Sequence, residues 1–340
     1  MNVRIGGLIV HERRGALPEA PPAPSLGAVS VFPRFEPIDP DSVATLIALW
    51  SRIQEDEPRA VLAPWFVHTC HGRIATVDIA DLHGNLVVRY QWSVDEAPIY
   101  SLFGMQDLVA SAVELLDGIR DLGHDPIVNQ ISDHQAAVLR DVPGILLERE
   151  PDRDEYVVDA ARHSALQGHA YKSLRYGINH FTEQHAGRID VHMVDVSDAE
   201  RLAFLASVLL EMPNSSSRTG NDTDAWEGAC LDAFLRNPIG DPVRMFTVEI
   251  DSAVRAIGVF EAAIGHDAVV FHVFRSDSRY EGLLDFGVWA LAEAASRQGF
   301  RELNLEEDLG IPGLRSKKHH LRPARMILHY TIRPDWRSEF

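Results

Sequence analysis

The sequence predicts a mixed α/β (α+β) fold in two tandem halves. Three observations point there. One order of elements, a strand meander followed by helix, strand, helix and strand, is legible twice along the chain. Long helices with one apolar face alternate with short apolar runs bounded by turn residues. A chain of 340 residues is also long enough for two cores.

Residues 1–36 are rich in Pro and Ala (Pro18, Pro21, Pro22, Pro24) and read as a poorly ordered arm, with one edge strand at most. The first half is expected over 37–153. Val43, Leu46, Ile47 and Trp50 share one face of a helix over 42–53. Strands follow at 74–79, 86–92 and 99–103, with the turn Leu82-His83-Gly84-Asn85 between the first two. An amphipathic helix over 105–122 ends at Gly123. A strand at 127–131, a short helix at 132–139 and a strand at 145–150 complete the half.

The boundary falls in the charge-dense stretch 151–159, and the second half is expected over 154–340. A helix spans 162–184 and a short strand 190–194. Ser197-Asp198-Ala199-Glu200 reads as a capping box for a helix running to about Met212. A Ser-rich loop at 213–221 suits a lid, and a helix at 222–235 follows. Strands at 244–250, 254–263 and 268–274 form a meander. A long helix over 282–297 is closed by Gly299. Then come a strand at 302–306, a short helix at 312–320 and a last strand at 325–332.

Composition is that of an ordinary globular protein, 46% hydrophobic and 24% charged. No apolar run approaches the roughly 20 residues that cross a bilayer, and residues 1–7 lack the layout of a secretory signal. Cys70 and Cys230 make no disulfide framework, so a reducing cytoplasm is expected. His68, Cys70 and His71 have no second pair of ligands nearby and read as packing residues, so no metal is predicted.

A net charge of −18 argues against DNA binding, which needs phosphate neutralisation. Residues 309–334 nevertheless hold Arg315, Lys317, Lys318, Arg322, Arg325 and Arg333 without one Asp or Glu. Such an island either focuses a field on an anionic ligand or is a solvated face. Only three of the 32 basic residues are lysine: Lys172, Lys317 and Lys318.

Two blocks resemble the soluble C-terminal domain of lysyl-phosphatidylglycerol synthases and their stand-alone relatives. The first runs from Asp154-Glu155-Tyr156-Val157-Val158-Asp159 to Leu166-Gln167-Gly168-His169-Ala170-Tyr171-Lys172-Ser173-Leu174-Arg175-Tyr176-Gly177-Ile178-Asn179-His180-Phe181. The second is Asn304-Leu305-Glu306-Glu307-Asp308-Leu309-Gly310-Ile311-Pro312-Gly313-Leu314-Arg315-Ser316-Lys317-Lys318, with Pro323 and Tyr330-Thr331-Ile332 beyond it. The resemblance implies two tandem acetyltransferase-like (GNAT-like) domains. For many members it also implies transfer of an aminoacyl group from aminoacyl-tRNA. The absence of transmembrane segments departs from the membrane enzymes and favours a soluble small-molecule acceptor.

Within the first block, Lys172, Arg175 and Asn179 fall on one helical stripe beside the apolar stripe Tyr171, Leu174, Ile178 and Phe181. The polar stripe either lines a cleft or is an exposed flank. In the second block, strand alternation puts Asn304 and Glu306 on one face and Leu303 and Leu305 on the other. Polar groups inside a central strand are costly unless they face a cavity or a partner. Glu306 is the expected general base, Asn304 the residue that orients the acyl group, and Lys317 a further catalytic candidate. Lys172, Arg175, Asn179, Arg315, Lys318 and Arg322 are expected to hold the phosphates of a nucleotide end. Asp308 belongs with them or caps the short helix that follows.

Acetyl-CoA enzymes hold pyrophosphate on an Arg/Gln-x-x-Gly-x-Gly/Ala loop opening a helix. The corresponding segment is Arg279-Tyr280-Glu281-Gly282-Leu283-Leu284, where Leu284 and Glu281 oppose a close phosphate. An aminoacyl-tRNA donor with no resident cofactor is the leading expectation. An acyl-CoA-dependent N-acyltransferase and a non-catalytic tRNA- or metabolite-binding module are the alternatives.

Overall fold

The computed structural model describes residues 29–38, 76–91, 95–212, 243–263 and 265–335, with Trp50, Ile53 and some positions between 228 and 238. The loop at 213–221, most of the helices expected at 42–53 and 222–235, and His68, Cys70 and His71 lie outside the described residues.

Period-two alternation and tight turns build the first half. Strands β1 (Glu36–Pro37), β2 (Thr76–Leu82), β3 (Asn85–Gln91) and β4 (Ile99–Phe103) pair antiparallel in sequence. His83 and Gly84 close the β2–β3 hairpin with φ of 55° and 84°, the positive values a two-residue turn requires. Helix α1 (Leu108–Asp121) begins three residues later than expected. The buried Asn85 side chain bonds both the N–H and the carbonyl of Gln106, at 3.0 and 2.5 Å, and so diverts that backbone from a helical turn. Strand β5 (Val128–Ser132) leads into α2 (Asp133–Leu139) through a capping box between Ser132 and Gln135, and β6 (Ile145–Arg149) follows.

Residues 29–37, expected to be the end of a poorly ordered arm with one edge strand at most, pack onto the first half, and β1 is an edge strand of its sheet. Val29 and Phe32 are buried, and the Phe32 ring seats on α1 at Gly118, where any Cβ would collide with it.

The second half runs β7 (Glu155–Asp159), α3 (Ala160–Ala165), α4 (Lys172–Gln184), β8 (Ile189–Val194), α5 (Ala199–Glu211), β9 (Val243–Ile250), β10 (Ala253–Ala262), β11 (Ala268–Ser276), α6 (Leu283–Arg297), β12 (Glu302–Glu307), α7 (Pro312–His320), β13 (Arg325–Ile327) and β14 (His329–Pro334). The single helix expected over 162–184 is broken. Leu166 and Gly168 take φ of 50° and 88°, and the Leu166 side chain turns into the core. The capping box expected at Ser197 does not form: Asp198 is the N-cap and accepts from the Arg201 N–H, while Ser197 bonds Asp195.

The last strand of the chain crosses into the sheet of the first half. The first sheet is ordered β1-β2-β3-β4-β5-β14-β6 and the second β13-β7-β12-β11-β10-β9-β8. β7, which follows the first half in the chain, fills the slot between β12 and β13. β14, the last strand of the chain, fills the matching slot between β5 and β6. The single strand expected over 325–332 is therefore two, and residues 329–334 leave the half that 154–340 was expected to form. The two halves cannot part without withdrawing β14 from between β5 and β6.

The second sheet buries both faces. Phe246, Phe260, Phe271, Leu303 and Leu305 pack under α4 and α6, whereas Met245, Ile257 and Val259 pack against α5 on the other side.

Candidate functional site

Parallel strands β11 and β12 pair at only three positions: Ala268↔Glu302, Val269↔Leu303 and Val270↔Asn304. β11 continues to Ser276 and β12 to Glu307 without further pairing, so a wedge opens between them. The register between β10 and β11 passes from Val259↔Val273 to Phe260↔Phe271, which leaves His272 as the extra residue of a bulge. Bulges re-aim side chains, and this one points His272 across the wedge.

On β12 the expected alternation holds. Leu303 and Leu305 join the apolar core, and Asn304 is fully buried on the opposite face. The Asn304 amide donates to Glu155 Oε2 at 2.5 Å, and its Oδ1 accepts from the Glu306 N–H at 2.8 Å. Glu306 takes a left-handed φ of 59°. That conformation is unfavourable for a non-glycine residue, and two partners secure it. Asn304 holds the Glu306 N–H, and Lys318 Nζ donates to the carbonyls on either side, Leu305 (2.6 Å) and Glu307. Lys318 is thus a buried clamp, its pKa lowered by burial, and the expectation that it holds phosphate is corrected.

Glu306 Oε1 lies 2.8 Å from His272 Nδ1, and His272 Nε2 lies 3.4 Å from Glu261 Oε2. The His272 and Glu261 side chains are almost wholly buried, while that of Glu306 keeps 23% of its surface exposed. Burial opposes a charged imidazole, but Glu306 and Glu261 outweigh it and raise His272 to about 10. Burial also raises the Glu306 carboxyl, and His272 pulls it back. The trio is a proton-holding unit on three neighbouring strands, and Glu306 is its open end. Through Asn304 it joins Glu155, whose Oε1 lies 3.0 Å from Nε2 of His329 on the crossing strand β14.

His272, Glu261, Glu155 and His329 were not singled out from sequence. A signal existed in Ala268-Val269-Val270-Phe271-His272-Val273, where one imidazole interrupts an apolar strand. Its partners are set by cross-strand register, which one strand does not encode.

The six cations of 309–334 do not form one free patch. Arg315 pairs with Asp308 and Asp152, each at 2.7 Å. Lys317 Nζ lies 2.6 Å from Asp285 in the first turn of α6. Arg325 pairs with Glu302 and Arg333 with Glu148. Arg322 alone among them is exposed with no ion pair to the described residues. Asp308 is neither cap nor surface ligand. It is fully buried, accepting from Tyr156, Arg315 and the Gly310 N–H, and despite its burial these bonds hold it down at about 2.

On α4, Tyr171, Leu174, Ile178 and Phe181 are buried as expected, Lys172 is exposed, and Arg175 and Asn179 are half-buried. The Arg175 guanidinium donates to the carbonyls of Leu166 and Gly168 and so closes the end of α3.

A hollow of about 920 Å³ lies elsewhere, along α1, lined by Met105, Leu108, Val109, Val113 and Val138. None of the polar groups around Glu306 reaches it. Chemistry rather than volume therefore identifies the site. Among the described residues no helix is long and apolar enough to cross a membrane.

Residues 85–333 match the family described as "Phosphatidylglycerol lysyltransferase, C-terminal". No curated protein matches the sequence. Among solved structures, a conserved protein of unknown function from Bacteroides thetaiotaomicron is similar at a TM-score of 0.73 and 17% identity, over 88% of this chain and 99% of that one. The C-terminal domain of a putative lysylphosphatidylglycerol synthetase from Agrobacterium fabrum gives 0.60 at 13% identity, over 88% and 94%. L-PGS from Bacillus licheniformis gives 0.58 at 14% identity, over 88% and 92%. At these identities the structures speak for the fold, a mixed α/β chain built on two sheets, and the sequence match speaks for the lineage. The chain belongs to the phosphatidylglycerol lysyltransferase C-terminal family, a family of transferases.

Proposed function

We propose that the protein moves an aminoacyl group from aminoacyl-tRNA to a soluble small-molecule amine, hydroxylamine or hydroxyl. The observation that carries this reading is the Glu306–His272–Glu261 unit at the mouth of the β11–β12 wedge, with Asn304 beneath it. An aminoacyl ester is already activated, so its transfer needs positioning, proton removal and oxyanion stabilisation. The acceptor atom attacks the ester carbonyl and the bond to the terminal ribose oxygen breaks. The proton leaves the acceptor for the Glu306 carboxylate and passes on to the departing ribose oxygen. His272, held by Glu261, positions Glu306 and balances its charge. Asn304 fixes the backbone that carries Glu306.

The start of α6 favours a nucleotide-borne ester over acyl-CoA. A Cβ on Gly282 would stand 3.2 Å from Phe181 and 3.5 Å from the Gly177 carbonyl, so α4 already packs against the loop where a pyrophosphate would seat. Lys172 and Arg322 supply the exposed charge for the carrier's phosphates.

The test is incubation with radiolabelled aminoacyl-tRNAs and a low-molecular-mass cell fraction. Label is expected to move to a small molecule and to stop moving after ribonuclease treatment. Transfer that survives ribonuclease, or thiol release from acetyl-CoA on adding an amine, overturns the reading.

A further inference from the structure

The exposed face of α4 carries an aromatic pair that the transfer chemistry leaves unused. Tyr176 is 73% exposed. Its ring is parallel to that of His180 within 2°, with centroids 6.1 Å apart. Lys172, Tyr176 and His180 stand one turn apart along the same face. Lys172, Arg162 and Arg322 are exposed and have no ion pair to the described residues. Burial pushes the Tyr171 phenol up, Arg162 and Arg322 pull it back and Asp159 opposes them, which places both guanidiniums near the start of α4. These charges stand out in a chain of net charge −18.

The face also adjoins the wedge. β11 leaves the sheet at Ser276 and its loop runs to Gly282, which packs on Gly177 and Phe181, the neighbours of Tyr176 and His180. Parallel exposed rings beside uncommitted cations match the chemistry of unpaired nucleotides, whose bases stack and whose phosphates need positive charge.

Building on the proposed aminoacyl-tRNA reading, we infer that the Tyr176–His180 pair with Lys172, Arg162 and Arg322 is the seat of the carrier's single-stranded 3′ end. The bases stack on the rings, the phosphates meet the cations, and the terminal ester reaches the wedge.

The direct test is binding of a 5′-fluorescein ACCA tetraribonucleotide, and of deacylated tRNA with and without its last three nucleotides, to the full chain. Wild type is expected to bind the tetranucleotide, and Tyr176→Ala to bind it about 5–100-fold more weakly, from one lost stacking contact. Tyr176→Phe is expected to bind as wild type does. Lys172→Ala and Arg322→Ala are each expected to lower the dependence of log Kd on log salt by about one phosphate. Equal thermal melting of the variants excludes misfolding as the cause. The inference is overturned if wild type does not bind the probe, if Tyr176→Ala binds as wild type does, or if trimmed tRNA binds as tightly as intact tRNA. Transfer that proceeds while Tyr176→Ala leaves the KM for aminoacyl-tRNA unchanged overturns the seat but not the reaction. Probe binding that is lost in Tyr176→Ala, with no transfer in any assay, supports the seat and counts against the reaction.

Discussion

His272 Nδ1 and Glu306 Oε1 lie 2.8 Å apart, although 34 residues separate them and their strands no longer pair at that level. A bulge delivers one group and a left-handed residue delivers the other. Both distort a regular strand, and both aim a charged side chain at the same point.

The pair sets the alkaline limit of stability. His272 titrates at about 10 in the fold against an ordinary 6.5. A raised folded value contributes stability that is fully present below about pH 6.5 and is lost as pH rises through about 10. Urea unfolding of His272→Gln is expected to show a flatter loss of stability between those pH values than wild type. An unchanged alkaline limb contradicts a charged His272.

The acid limit has different owners. Burial lowers His163 to about 4, so the unfolded chain takes its proton first and stability falls as pH drops from 6.5 towards 4. Asp308, held at about 2 against an ordinary 3.8, extends the loss as pH falls from about 4 towards 2. Its bonds to Arg315 and Tyr156 weaken in that window. Asp308→Asn is expected to flatten this second segment alone in acid unfolding followed by near-UV circular dichroism.

Lys318 distinguishes a clamp from a phosphate ligand. Lys318→Met leaves the Leu305 and Glu307 carbonyls short of a donor, at a cost of about 1–3 kcal/mol in urea unfolding. tRNA affinity in a filter-binding assay is expected to stay at the wild-type value. A fall in affinity at unchanged stability restores the phosphate role that the sequence suggested.

Gly118→Ala tests the docking of residues 29–37. The new methyl collides with the Phe32 ring, and overpacking of this kind costs about 1–3 kcal/mol. Gly118→Ala with Phe32→Leu is expected to recover part of the loss. A Gly118→Ala variant as stable as wild type contradicts a tight seat for Phe32.

Local signals were legible and pairings were not. Alternation over Leu303 to Glu306 identified the inward polar pair because it depends only on neighbours in sequence. The apolar stripe of α4 was readable for the same reason. The cationic island misled because two of the partners, Asp152 for Arg315 and Asp285 for Lys317, lie far off in sequence and meet them only after folding. The crossing of β14 was likewise hidden, since it reads as the end of an ordinary strand whichever sheet receives it. The break at Leu166 escaped notice because a leucine in a left-handed conformation carries no sequence mark.

Single-turnover loss of label from aminoacyl-tRNA by wild type and by Glu306→Gln bears most directly on the chemistry assigned to the wedge. Wild type is expected to transfer the aminoacyl group in a ribonuclease-sensitive reaction. Glu306→Gln is expected to do so about 10²–10⁴-fold more slowly at equal stability and equal tRNA affinity. A Glu306→Gln protein that transfers at the wild-type rate, or a wild type that discharges none of the aminoacyl-tRNAs, contradicts it.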